Sequence, residues 1–297
     1  MNKALFHTVL LSTLLLSAGC GGPVNPQGYV RKAVSIMDRT ALYAEGDEWE
    51  EAKEKALSAA PETMDAAYDV VREALKTAGG KHSFLIPQPE VSHNENAQWP
   101  MPAIDRTEDG IPVVSVPHFA GNQKQALTYA GTLQNGIPDD ASRIILDLRG
   151  NTGGNMYPMI AGVNALLPDG IIIKFRNKFG RETPLTSEFV ARNQGVARKL
   201  PISPWIAILT DGATASSGEA LLICFRGMTN VRTFGSPTAG YASGNQTFHM
   251  KDGSCLVVTA SCDVARTGEV FCDDPIIPDT ITATPMEDAL TWLRESH

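Results

Sequence analysis

The sequence predicts an α/β core preceded by a small helical cap, and three observations carry this. Apolar runs of strand length at 111–116, 170–175, 204–209 and 231–235, with another opening 143–155, alternate with helical stretches at 121–135, 156–167, 220–227 and 286–296. Such alternation is the mark of an α/β arrangement. Two of the strand-to-helix junctions are built from small residues, at 147–155 and 210–220. Ahead of them, segments 30–44, 48–59 and 62–78 repeat apolar residues at helical spacing. They are punctuated by AlaGluGlyAsp (44–47) and AlaAlaProGlu (59–62) and closed by ThrAlaGlyGly (77–80). Residues 88–110 are polar and proline-rich with no evident element, and 244–249 with 255–260 read as a hairpin pair around LysAspGlySer.

Composition narrows the function. The 297 residues are 43% hydrophobic and 20% charged, ordinary for a globular chain, and the net charge is -8. That charge, with no basic cluster and no zinc-type Cys/His spacing, argues against nucleic acid as a partner.

The N-terminus reads as a targeting segment rather than part of the fold. Lys3 is followed by a leucine-rich apolar run to Ala18, too short to span a bilayer comfortably. It ends LeuSerAlaGlyCys at Cys20, which resembles a bacterial lipoprotein signal with Cys20 as the lipidated residue. Residues 1–19 are then the signal peptide and 20–29 a Gly- and Pro-rich tether. The helical cap takes 30–80 and the α/β core 81–297. Gly21, in place of aspartate, favours the outer membrane and its periplasmic face. Anchoring by lipid makes the membrane an expected partner. Of the remaining cysteines, Cys224 reads as a buried thiol, and Cys262 and Cys272 flank a predicted hairpin across which they could pair.

The chemistry concentrates in three stretches. ThrAspGlyAlaThrAlaSerSerGlyGluAla (210–220) joins a buried strand to a buried helix through small residues. That geometry presents a serine hydroxyl at a helix N-terminus, where free N–H groups stabilise negative charge. A simple N-cap is the plainer reading. AspLeuArgGlyAsnThrGlyGlyAsn (147–155) runs from a strand through three glycines into a helix. Its N–H groups can form an anion nest or one half of an oxyanion hole; it does not spell a nucleotide-binding fingerprint. His82 follows a double glycine and is either structural or the base that a serine nucleophile needs. Of the other histidines outside the signal and the C-terminus, His93, His118 and His249 remain.

Together these stretches resemble the S41 serine peptidases, a family that includes the tail-specific processing proteases, the tricorn core protease and retinoid-binding repeats. AspLeuArgGlyAsnThrGlyGly (147–154) matches the D-[LI]-R-x-N-x-G-G block, and ThrAlaSerSerGlyGlu (214–219) the [ST]-A-S-x-x-E block. The resemblance covers residues 30–290. It implies a crotonase/Clp-like α/β superhelix core, peptide or protein as substrate, and no cofactor or metal. It makes Ser216 the nucleophile. The N–H groups of Ser217 and Gly154, with Gly153 as its neighbour, become the oxyanion donors. Tyr241 stands where the processing proteases carry a lysine base, and the short interval between His82 and the strand at 111 leaves no room for a PDZ domain. Both departures point to the tricorn-like branch, with a serine–histidine pair. His82 is then the base and Ser83 the adjacent serine; the carboxylate falls at Asp273 or Asp274, of which Asp274 is the choice. A non-catalytic binder of apolar ligands on the same fold is the competing expectation.

Overall fold

The computed structural model describes residues 24–88, 98–195 and 199–296; Cys20 and His93 lie outside them. The chain forms two compact units. One comprises residues 1–96 with 245–260, the other 97–244 with 261–297. The expected boundary at residue 80 differs from this division for a physical reason. Strand β1 (Phe84–Ile86) pairs antiparallel with Val257, Leu256 and Cys255, the first part of the long strand β10 (Cys255–Ala265). That pairing recruits 245–260 to the helices.

In the first unit, α1 (Pro26–Thr40), α2 (Gly46–Ser58) and α3 (Met64–Gly79) bury one face each. Their core includes Tyr29, Val30, Met37, Trp49, Val71 and Leu75, and Leu256 and Val258 of β10 complete it. The expected tether is shorter than 20–29. Asn25 accepts the N–H groups of Gln27 and Gly28, and Pro26 opens the helix with its φ already set, so α1 starts four residues early. Gly80, at φ 61, ends α3 and leads into a 3-10 turn, Gly80–His82.

The second unit is built on a sheet in the order β12 (Thr280–Ile281), β8 (Val231–Gly235), β7 (Trp205–Thr210), β4 (Arg143–Asp147), β3 (Pro112–Ser115), β2 (Ala103–Arg106). All neighbours are parallel except the β2–β3 pair. Side chains alternate across a strand, so β4 and β7 supply two cores at once. Ile144, Leu146, Ile206 and Ile208 face a large cluster that includes Tyr129, Met159 and Leu221. Ile145, Ala207 and Leu209 face a smaller one with Leu293 of the helix Pro285–Glu295. Burial on both faces explains why these strands read as continuous apolar runs.

A second group of strands in this unit pairs β5 (Ile171–Asn177) with β6 (Glu182–Thr186) and with Ser261–Ala265 of β10, which also pairs with β11 (Val270–Phe271). Cys262 and Cys272 form a disulfide across that last hairpin, and Cys224 is buried. Strand β9 (Ser243–His249) pairs with β10, as the hairpin reading expects. Strands β2 and β6 and the helix Ser187–Gln194 have no counterpart in the sequence reading. β2 is an edge strand of four residues, none of them fully buried, so it carries no apolar alternation.

Parallel strands open a crevice at their carboxyl ends, where α/β proteins bind ligands. Here those ends lead into the loops 116–120, 148–155, 211–216 and 236–241. Both glycine-rich junctions singled out from the sequence lie there.

Candidate active site

The loops after β4 and β7 are stitched into one structure. Asp211 begins the turn after β7, and its Oδ1 accepts the N–H groups of Ala213 and Thr214 at 3.0 Å. The same carboxylate accepts Gly150 N–H at 3.1 Å, from the other loop. Thr214 Oγ1 donates to Leu148 O at 2.9 Å, and Ala215 N–H to Asn151 O at 2.9 Å. Asn151 is fully buried; its Nδ2 donates to Val116 O at 2.8 Å and its Oδ1 accepts Gly153 N–H at 2.9 Å. The side chains of Asp211 and Thr214 each satisfy a backbone group of the loop after β4, and Asn151 ties that loop to Val116 after β3.

Ser216 sits at the apex. Its φ of 51° and ψ of -114° make it the only non-glycine residue with positive φ among the described residues. Such a conformation costs about 1–3 kcal/mol and persists only where its surroundings impose it. Those surroundings are identifiable. Ser216 N–H donates to Glu219 Oε2 at 2.8 Å. Glu219 is fully buried and also accepts Tyr241 N–H at 2.7 Å on Oε2, and Gly240 N–H at 2.9 Å and the Thr238 hydroxyl at 2.5 Å on Oε1. One carboxylate thus ties the elbow to the loop after β8. Sequence reasoning gave Glu219 no role, although it is the last letter of the second block.

Ser217 opens the helix Ser217–Cys224, and Gly153 and Gly154 lie against this turn. A side chain on Gly153 would put Cβ 2.7 Å from Ser216 Cβ. One on Gly154, at φ +116°, would collide with the carbonyl of Phe119. Glycine at 153 allows the loop to approach the serine this closely, and glycine at 154 allows it to pack against the backbone of Phe119. Gly153 N–H is spent on Asn151. The N–H groups of Gly154 and Ser217 donate to no protein acceptor among the described residues. Two unspent donors thus lie in the loop and the helix turn on either side of the serine.

The remaining expected residues fall as follows. His82 belongs to the first unit, where it ends the 3-10 turn; the residue is 9% exposed and its carbonyl accepts Asn245 Nδ2 at 3.0 Å. Ser83 follows, with Oγ 2.9 Å from both Gly79 O and Thr259 Oγ1, and it accepts Thr259 N–H at 2.8 Å. Its hydroxyl therefore braces the turn that carries His82. Asp274 lies in the second unit on the exposed segment after the disulfide, whose backbone packs on Gly240. Tyr241 contributes its N–H to Glu219.

Asp263 of β10 is a second buried carboxyl that the sequence did not single out. It is 2% exposed, and its Oδ1 has no hydrogen-bond partner among the described residues. Burial, and secondarily the charge of Glu219, push its pKa from 3.8 up to about 8. Between those values the folded protein holds a proton that the unfolded chain has released, so stability falls as pH rises through that window. Asp263→Asn is neutral throughout and is expected to remove that slope. In thermal unfolding its midpoint should exceed the wild type's by about 4 °C or more at pH 8 and converge with it toward pH 4.5.

With this geometry in place, similarity to known proteins is informative. Residues 110–282 match the model of peptidase family S41. The nisin-resistance protein of Lactococcus lactis subsp. lactis is 34% identical over 282 residues, 92% of this chain and 88% of that protein. A probable CtpA-like serine protease of Staphylococcus haemolyticus is 27% identical over 191 residues, which cover 63% of this chain but only 36% of that protein. The solved structure of a lipoprotein from Streptococcus agalactiae superposes with a TM-score of 0.83 at 29% identity, spanning 96% of this chain and 99% of that one. The mixed α/β architecture is that of the S41 fold, and the chain belongs to peptidase family S41 as a serine peptidase.

Proposed function

We propose that the protein is a cell-envelope serine peptidase, lipid-anchored through Cys20, in which Ser216 is the nucleophile and His82 its base. The observation that carries the reading is the strained backbone of Ser216 beside the unspent N–H groups of Gly154 and Ser217. A plain N-cap serine needs neither.

In this reading Ser216 Oγ attacks the carbonyl carbon of a peptide bond as His82 takes its proton. The carbonyl oxygen becomes an oxyanion held by the N–H groups of Gly154 and Ser217. Collapse of the tetrahedral intermediate breaks the C–N bond, and His82 returns the proton to the leaving amine. Water, deprotonated by His82, then attacks the acyl-enzyme by the same route, releasing the acid and restoring Ser216. Ser83 acts by bracing the turn that carries His82. Asp274 supplies the carboxylate for the imidazolium. An exposed carboxylate is screened by water, so of these residues Asp274 is expected to contribute least. The spent N–H of Gly153 gives that residue a steric role beside the nucleophile instead of a donor's role.

The substrate class is peptide or protein, met at the membrane surface that holds the lipid anchor. Two relatives, one named for nisin resistance and one described as a lipoprotein, support a location in the envelope. No helix among the described residues is long and apolar enough to cross a membrane; the anchor in this reading is the lipid on Cys20. The outer membrane and its periplasmic face follow from Gly21 after the lipidated cysteine.

The test is hydrolysis of a peptide library by the mature protein, read by mass spectrometry. Ser216→Ala is expected to lower kcat/KM by about 10⁴-fold or more. Cleavage that persists in this variant, or its absence from the wild type, contradicts the reading; absence with uptake of apolar ligands would favour a binder on the same fold.

A further inference from the structure

We infer that the Ser217 side chain is a positioning residue of the oxyanion hole, acting through a hydrogen bond to the Gly154 carbonyl. The inference rests on the peptidase reading above and adds a second role to Ser217 beside its backbone N–H. Its hydroxyl donates to Gly154 O at 2.7 Å, across 63 positions of sequence, and the residue is 7% exposed. This is not capping. The N-cap of that helix is Ser216, and Ser217 is its first helical residue, whose hydroxyl has turned toward the other loop.

Gly154 needs an external restraint. Gly153 and Gly154 both occupy positive φ, at 99° and 116°, and neither has a Cβ to limit rotation. The peptides on either side of Gly154 are instead fixed by neighbours. The one before it is held through Gly153 O, which accepts Phe119 N–H at 3.1 Å. A trans peptide is planar, so anchoring that oxygen aims the Gly154 N–H the opposite way. The peptide after Gly154 is held at both ends. Asn155 N–H donates to Phe119 O at 2.6 Å, and Gly154 O accepts from Ser217 Oγ.

Removing the Ser217 hydroxyl releases one of these three restraints. It also leaves the Gly154 carbonyl without this donor, which favours rotation toward another one. Because Ser217 supplies the other oxyanion donor through its own N–H, its side chain sets the separation of the two donors. A clamp of this kind acts on the transition state, where the oxygen becomes an anion, more than on bound substrate.

Ser217→Ala tests the clamp. Loss of a whole oxyanion donor lowers kcat by about 10²–10³-fold, and a misaimed donor is expected to cost about 10–100-fold with KM held within about threefold. The Gly154 amide signal in nitrogen-15-labelled protein gives a readout independent of activity. It is expected to shift and broaden in Ser217→Ala, while the unfolding midpoint confirms a folded variant. A folded variant with kcat within about twofold of wild type, or one whose loss lies wholly in KM, overturns the inference. So does an unmoved Gly154 amide. If the wild type shows no Ser216-dependent hydrolysis, the peptidase reading fails by itself, and the clamp stands or falls on the amide signal.

Discussion

Gly154→Ala is expected to lower kcat by about 10²–10³-fold, the cost of losing one oxyanion donor. Two effects combine at this position. At φ +116° an L-residue is strained whatever the space around it, and here there is no space. The new Cβ would lie 2.1 Å from the carbonyl oxygen of Phe119 and 2.7 Å from its carbon. Those atoms belong to the backbone, so relief must come from rotating the Gly153–Gly154 peptide. That rotation swings the Gly154 N–H away from the nucleophile. Gly110→Ala separates strain from collision, since Gly110 has φ +79° but nothing within 4 Å of the place its new Cβ would take, and it lies far along the chain from both loops. It should cost about 1 kcal/mol of stability and leave kcat unchanged. Steady-state kinetics and thermal unfolding of the two variants check both statements. Equal losses of kcat would show that a donor at residue 154 is irrelevant.

Glu219→Ala is expected to cost about 3–5 kcal/mol of stability, because it strands several buried donors at once. The N–H groups of Ser216, Gly240 and Tyr241 and the hydroxyl of Thr238 all point at this carboxylate. Glu219→Gln should fall between. Each carboxylate oxygen accepts two donors, so an amide NH₂ opposes donors in either orientation. The better orientation puts NH₂ at the Oε1 position, where the Thr238 hydroxyl can reverse and accept while Gly240 N–H is left opposed. Activity should fall with stability in both variants, because the restraint on Ser216 N–H is removed or weakened. Denaturant unfolding with kcat measured beside it is the check. An alanine variant as stable as wild type would contradict the assignment of Glu219 as the tie between the elbow and the loop after β8.

What was legible in the sequence, and what was not, follows from the range of the interactions. The elbow at Ser216 and the glycine loop could be read because each is a local pattern, an apolar strand running into small residues. The sheet could be read for the same reason, since β4 and β7 are buried on both faces and leave unbroken apolar runs. Glu219 was visible as a letter, but three of its four partners come from residues 19–22 positions away and depend on the return of β8. The role of the Ser217 hydroxyl spans 63 positions. That Gly153 N–H is spent also could not be read from the sequence, because it turns on the side chain of Asn151. The division of the chain depended on β1 pairing with a strand about 170 residues later, so a boundary drawn at the end of α3 missed it.

The central claim is that Ser216 is an activated nucleophile with His82 as its base, and intact mass after a fluorophosphonate probe tests it most directly. The account predicts a single adduct on the mature wild type, absent from Ser216→Ala and slowed by orders of magnitude in a folded His82→Ala. A wild type that stays unlabelled under conditions that label a control serine hydrolase would contradict the claim. Labelling that survives His82→Ala at the wild-type rate would keep the nucleophile and overturn its pairing with His82.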